Sequence, residues 1–127
     1  MTENEIARQA VDIAYKIHTH LGPGLYESVY EACFIAELRN RGLTFATQQG
    51  IPVVYENVRL KVGFRADIII EGKVIIEIKS IEAIAPVHRK QLLTYLRLTD
   101  LRLGLLINFN TALIKDGIAR VVNGLKA

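Results

Sequence analysis

A chain of 127 residues, half of them hydrophobic and 23% charged, has the balance of a compact folded domain that buries about two-thirds of its unfolded surface, and not that of a disordered tail. The net charge of +3 and pI of about 9.1 admit an anionic partner without requiring one. No apolar run reaches the roughly 18 residues of a membrane helix, MTENEIARQA lacks the basic-then-apolar order of a secretory signal, and the lone Cys33 excludes a disulfide framework or a cysteine-built zinc site, so the expectation is a cytoplasmic protein with no membrane partner.

Thr2-x-x-Glu5 has the spacing of a capping box, and Ile6, Ala10, Ile13, Ala14, Ile17 and Leu21 follow at helical intervals. Gly22-Pro23-Gly24 ends that helix. A second helix spans Leu25 to Asn40, stops before Gly42 and includes Cys33 as a small core residue. Strand patterns occupy Leu43 to Gln48, Ile51 to Tyr55, Val58 to Ile70 and Lys73 to Ser80. Pro86 is placed as the first residue of a helix running to Thr99. Arg102 to Phe109, with LGLLINF, reads as a buried strand, and Asp116-Gly117 turns the chain into a short strand, Ile118 to Val122. The order α-α-β-β-β-α-β, with a short final strand, predicts an α/β fold in one domain spanning residues 1–127, its central sheet flanked by helices on both faces.

The segment GFRADIIIEGKVIIEIKSI, residues 63–81, sets Asp67, Glu77 and Lys79 in apolar strands, where charge is costly unless paired or coordinated. Val58, Leu60, Val62, Phe64, Ala66, Ile68 and Ile70 alternate with Arg59, Lys61, Arg65 and Asp67, so the apolar residues should share one face and the charged residues the other. In the next strand Val74, Ile76 and Ile78 alternate with Lys73, Glu77 and Lys79 in the same way. Both apolar sets are buried together only if odd positions face odd positions. That rules out a two-residue Glu71-Gly72 loop and predicts a three-residue loop, Glu71 to Lys73, or a bulge. Asp67 then lies opposite Glu77, with Lys79 on the same face.

Two readings of these charges follow. One is a cross-strand salt-bridge cluster that includes Arg65 on a wet face. The other is a metal site, because adjacent carboxylates repel and raise at least one pKa unless a cation neutralises them. Mg²⁺ or Mn²⁺ accepts such hard oxygen ligands and keeps waters for reaction, with Lys79 beside them. The tripeptide E-x-K decides nothing alone, since Glu71-Gly72-Lys73 also carries it in a turn. In GLYESVY, Glu27 and Tyr30 share a helix face, which is either part of the site or an acidic helix start favoured by the dipole. In PVHRKQLLTYL, His88, Gln91 and Tyr95 form one polar stripe, either solvated or facing substrate, with His88 a phosphate or carboxylate partner rather than a metal ligand. His18 and His20 fall on different helix faces and read as structural.

Together these motifs resemble the GxxExxY family of the PD-(D/E)XK nuclease superfamily. Gly24 to Tyr30 matches the naming motif, Asp67 with Glu77-Ile78-Lys79 the superfamily core, and Gln91-x-x-x-Tyr95 the helix motif of one nuclease branch. The likeness runs from about Ile6 to Val122, with Ala66 standing where proline usually precedes the aspartate. The resemblance implies a restriction-endonuclease-like core with a mixed sheet, and a Mg²⁺- or Mn²⁺-dependent nuclease that hydrolyses nucleic-acid phosphodiester bonds, DNA ahead of RNA. It implies metal ligation by Asp67, Glu77, the Ile78 carbonyl and Glu27, with Lys79 as the catalytic lysine and Gln91 and Tyr95 positioning substrate. Tyr30 and His88 join the substrate-binding set through the faces they share with Glu27 and Gln91, and Arg65 and Lys61 through the predicted active face.

Arg59 on that face, and Arg89, Lys90 and Arg97 on the following helix, are further candidates to grip phosphates. At 7% aromatic content no aromatic-rich platform for a single strand is visible. The alternative to the enzyme is a non-catalytic module that binds nucleic acid or protein on the same fold. A homodimer is the expected way for so small a nuclease to embrace a duplex.

Overall fold

The computed structural model describes residues 1–126, and the side chains of Lys61 and Val62 lie outside that description. Helix α1 (Glu3–Leu21) begins at both halves of the expected capping box: the Thr2 hydroxyl accepts from the Glu5 N–H at 3.2 Å, and the Glu5 carboxylate accepts from the Thr2 N–H at 2.9 Å. Helix α2 (Glu27–Asn40) starts two residues later than its pattern suggests, after an extended Tyr26. Five strands follow: β1 (Phe45–Tyr55), β2 (Val58–Ile70), β3 (Val74–Lys79), β4 (Leu103–Asn108) and β5 (Ile118–Val122). Helix α3 (Pro86–Thr99) lies between β3 and β4, and an unforeseen 3-10 turn, Ile114–Gly117, precedes β5.

The sheet order is β1-β2-β3-β4-β5, antiparallel except for the parallel β3–β4 pair that α3 connects. On one face α1 and α2 bury Ile6, Ile13, Tyr30 and Phe34 against Ile68, Ile76, Ile78 and Ile107. On the other, Leu92 and Leu96 of α3 cover Ile75, Leu106 and Ala66. A Cβ at Gly104 would meet Leu92 at 2.8 Å, so this glycine lets α3 sit close on β4. Among the described residues no helix is long and apolar enough to cross a membrane.

The β2–β3 hairpin pairs Ile68 with Ile76, Ile69 with Ile75 and Ile70 with Val74, closing the three-residue loop that the apolar pattern demands. Glu71 and Gly72 turn at φ 53° and 62°. The second E-x-K is this turn: the Glu71 carboxylate accepts from Thr44, and Lys73 Nζ donates to the Met1 carbonyl.

Two expectations need correction. The segments at Leu43 to Gln48 and Ile51 to Tyr55 are one strand, because Gln48 takes φ 49° and bends the chain while the pairing with β2 resumes on either side. The alternation along β2 also fails at that point. Ala66 joins the α3 side of the core and Ile68 the α1–α2 side, while Val58, Leu60 and Phe64 are exposed. The pair Gln48–Asp67 is missing from the ladder, so the pleat resets there. Beyond it β1 and β2 leave the other strands as a two-stranded arm, whose Ile51 and Ala66 still pack under α3 while Val54, Tyr55, Val58 and Leu60 are exposed.

At the far end of β4 the buried Asn108 ties the chain leaving β3. Its Oδ1 accepts from the N–H of Ile81 at 3.1 Å and of Asn110 at 3.2 Å, and its Nδ2 donates to the Ile81 carbonyl at 3.0 Å. Asn108→Ala strands these backbone groups and should cost about 1–3 kcal/mol, read in urea as a lower midpoint with an unchanged slope.

Candidate active site

The site lies where the sheet forks. Strand β3 stays beside β4 as far as the Lys79–Asn108 pair, whereas β2 leaves β3 after Ile68–Ile76 and follows β1 outward. At the fork two carboxylates take over the missing ladder. The Asp67 N–H donates to Glu77 Oε2 at 3.0 Å, and the Ile78 N–H donates to Asp67 Oδ2 at 2.8 Å. Each side chain is thus fixed by a backbone donor of the opposite strand. The N–H and C=O of one residue point to the same edge of a strand, so the Ile78 carbonyl also faces the fork.

Glu77 is only 5% exposed. Burial, and then the negative charge of Asp67, push its pKa up to about 8, and the nearby Lys79 offsets this only slightly. The salt-bridge reading does not hold: among the described residues the one ion pair joins Lys16 to Glu37, and neither Arg65 nor Lys79 comes within 4.0 Å of the two carboxylates. Buried Glu77 and partly buried Asp67 therefore face each other with no cationic side chain paired to them among the described residues, and their surroundings favour the protonated form of Glu77. One oxygen of each carboxylate is taken by a backbone N–H. Glu77 Oε1, Asp67 Oδ1 (which also accepts from Gln48 Nε2 at 3.4 Å) and the Ile78 carbonyl are hard-oxygen donors of the kind a divalent ion takes.

Over residues 4–121 the sequence matches the family model of the PD-(D/E)XK nuclease superfamily. The chain belongs to that superfamily. No curated protein and no solved structure matches. Members of the PD-(D/E)XK superfamily are generally hydrolytic nucleases that use divalent metals, and the forked α/β sheet is consistent with their restriction-endonuclease-like core.

Around this superfamily core, GLYESVY acts as a brace. The Tyr30 hydroxyl donates to the Gly22 carbonyl at 2.6 Å and accepts from the Leu25 N–H at 3.2 Å, while its ring stacks on Phe109 at 4.4 Å. Tyr30 is fully buried, so the side chain expected to touch substrate instead fixes the α1–α2 loop. That loop grips the end of β3: the Leu25 carbonyl accepts from Ser80 Oγ at 2.6 Å, and Glu27 Oε2 accepts from the Ser80 N–H at 3.3 Å. Glu27 is exposed, one residue beyond Lys79 in its contact, and does not join Asp67 and Glu77: among the described residues no three acidic, His or Cys side chains converge as a metal cage.

From the other face α3 presents Tyr95, whose hydroxyl pKa is raised by burial and then by the charges of Glu77 and Asp67. Gln91 is exposed one turn earlier. His88 caps α3, with its Nδ1 accepting from the Ala85 N–H at 2.8 Å. Its cap role accounts for that nitrogen without substrate. Arg59, Arg65, Arg89, Lys90 and Arg97 are exposed, and the Lys61 side chain lies outside the described residues.

Three supporting residues went unnoticed in the sequence. Ser80 receives the brace, Asn108 ties the chain beyond it, and Gln48 bridges Glu31 at 3.0 Å and Asp67 at 3.4 Å. Asn108 alone left a signal, a polar residue closing the apolar run LGLLIN.

The raised acid sets a pH dependence for the metal-free protein. Glu77 binds a proton in the fold that the unfolded chain, with a pKa near 4.5, has released, so its stabilising contribution is complete below pH 4.5 and is lost as pH rises to about 8. In EDTA the Tm difference between Glu77→Gln and the parent should therefore widen in favour of the variant by several degrees over that window, then level off. For the brace, Tyr30→Phe leaves the Gly22 carbonyl and Leu25 N–H unpaired and should lower stability by about 1–3 kcal/mol in thermal or urea unfolding.

Proposed function

We propose that the chain is a metal-dependent nuclease of the GxxExxY group that hydrolyses phosphodiester bonds in nucleic acid, DNA ahead of RNA. The observation that carries this reading is the pair of buried Glu77 and partly buried Asp67, held by the backbone at a fork in the sheet with no cationic side chain paired to it among the described residues. Asp67, Glu77 and the Ile78 carbonyl would hold Mg²⁺ or Mn²⁺. When bound, such an ion supplies Lewis-acid activation of water and neutralises charge at the phosphate.

The chain's own groups do the rest. Lys79 shares the face of Glu77 two residues on, carries no ion pair among the described residues, and offers its ammonium to the charge that develops on the phosphoryl oxygens. Its backbone is pinned by the Phe109 N–H, which donates to the Lys79 carbonyl at 2.9 Å. Glu27 orients the chain just after Lys79 through Ser80, and Gln91 and Tyr95 line the α3 side, where they position substrate. Arg89, Lys90 and Arg97 supply phosphate contacts along α3. A homodimer would be needed only to cut both strands of a duplex.

The test is cleavage of labelled single- and double-stranded DNA and RNA with Mg²⁺, Mn²⁺ or EDTA. Cleavage should require the metal, and Lys79→Ala and Asp67→Ala should each lower the rate by at least about a hundredfold. Binding without cleavage under every condition would replace the enzyme by a binding module.

A further inference from the structure

We propose that the β1–β2 arm carries a binding site for an unpaired nucleic-acid strand, with Arg59 and Arg65 taking its phosphates and Phe64 stacking on one base. The proposal rests on the nuclease reading and narrows its substrate from nucleic acid in general to a strand with accessible bases.

A cavity of about 650 Å³ opens on the arm, lined by Gly50, Ile51, Arg59, Gly63, Phe64 and Arg65. A Cβ at Gly63 would lie 2.5 Å from the Ile51 carbonyl, so the two strands close up there only because that residue is glycine. Neither arginine has an acidic partner among the described residues, which leaves two guanidinium forks for phosphate oxygens. Phe64 is 39% exposed, and its ring lies 5.0 Å from that of Tyr95 at 42°. The contact fixes the orientation of Phe64 and joins the cavity to the acid pair, whose charges act on Tyr95.

Chemistry selects the occupant. Bases in a duplex are stacked on one another and unavailable to an aromatic ring, whereas every base of a single strand has a free face. The sequence has no run of aromatic residues, but the fold brings Phe64 of β2 and Tyr95 of α3 together beside two arginines.

The experiment is equilibrium binding by the full chain in EDTA, read by fluorescence anisotropy. The probes are a short labelled DNA strand, the RNA of the same sequence, and the corresponding blunt DNA duplex, each at several salt concentrations. Single strands should bind more tightly than the duplex, and the DNA and RNA arms report which sugar the site takes. Phe64→Ala should weaken single-strand binding about 5- to 150-fold and leave duplex binding unchanged, while Phe64→Tyr, which keeps the ring, restores it. Arg59→Ala and Arg65→Ala should each reduce the salt slope for single strands by roughly 0.7.

Duplex binding as tight as single-strand binding, or a Phe64→Ala variant that matches the parent or weakens both alike, would overturn the proposal. Metal is absent throughout, so the two ideas fail separately. Selective binding without cleavage in the metal assay removes the nuclease and keeps the site. Metal-dependent cleavage with unselective binding removes the site and keeps the nuclease.

Discussion

Two hydrogen bonds crossing the fork, Asp67 N–H to Glu77 and Ile78 N–H to Asp67, are the constraint on which the rest of the site depends. A parting pair of strands would otherwise leave backbone donors without partners, a cost comparable to a lost hydrogen bond for each. The carboxyl groups satisfy those donors, and the same bonds hold the two acids so close that the negative charge of Asp67 helps to raise the pKa of Glu77. The arrangement stores an electrostatic cost in the metal-free fold. A divalent ion held there would relieve that cost.

The surrounding elements fix this centre from three directions. The GLYESVY loop, pinned by buried Tyr30, holds Ser80 just past Lys79; Asn108 ties Ile81 beyond it; and α3, seated close on Gly104, carries Tyr95 over the acid pair. The GxxExxY pattern thus has a mechanical meaning in this chain. Its tyrosine is a core residue and its glutamate contacts the backbone that follows the lysine, so both act on the site through the chain that bears Lys79.

Much of the centre was legible in the sequence because strand periodicity is rigid. The apolar alternation of Ile68, Ile70, Val74 and Ile76 admitted a single hairpin register, and that register alone set Asp67 against Glu77. The helix starts at Thr2 and Pro86 were legible for the same kind of local reason. What escaped was non-local. The reset of the pleat at Asp67 depends on the left-handed Gln48 in another strand, and Tyr30 is buried in a core built from distant segments, with Phe109 stacked on its ring. The salt-bridge alternative was open in the sequence because periodicity shows which side chains share a face but not whether their ends meet. The exposed β1–β2 arm and its cavity were hidden because an apolar alternation reads the same whether or not a third strand and a helix cover it.

The central claim is that Asp67 and Glu77 form one cation site at the fork. Its most direct measurement is anomalous diffraction from crystals of the protein soaked in Mn²⁺. The account predicts an anomalous peak in contact with both carboxylates, lost in Asp67→Ala crystals. Carboxylates that point to opposite sides of the sheet, or a saturating soak that leaves the fork without a peak, would contradict it.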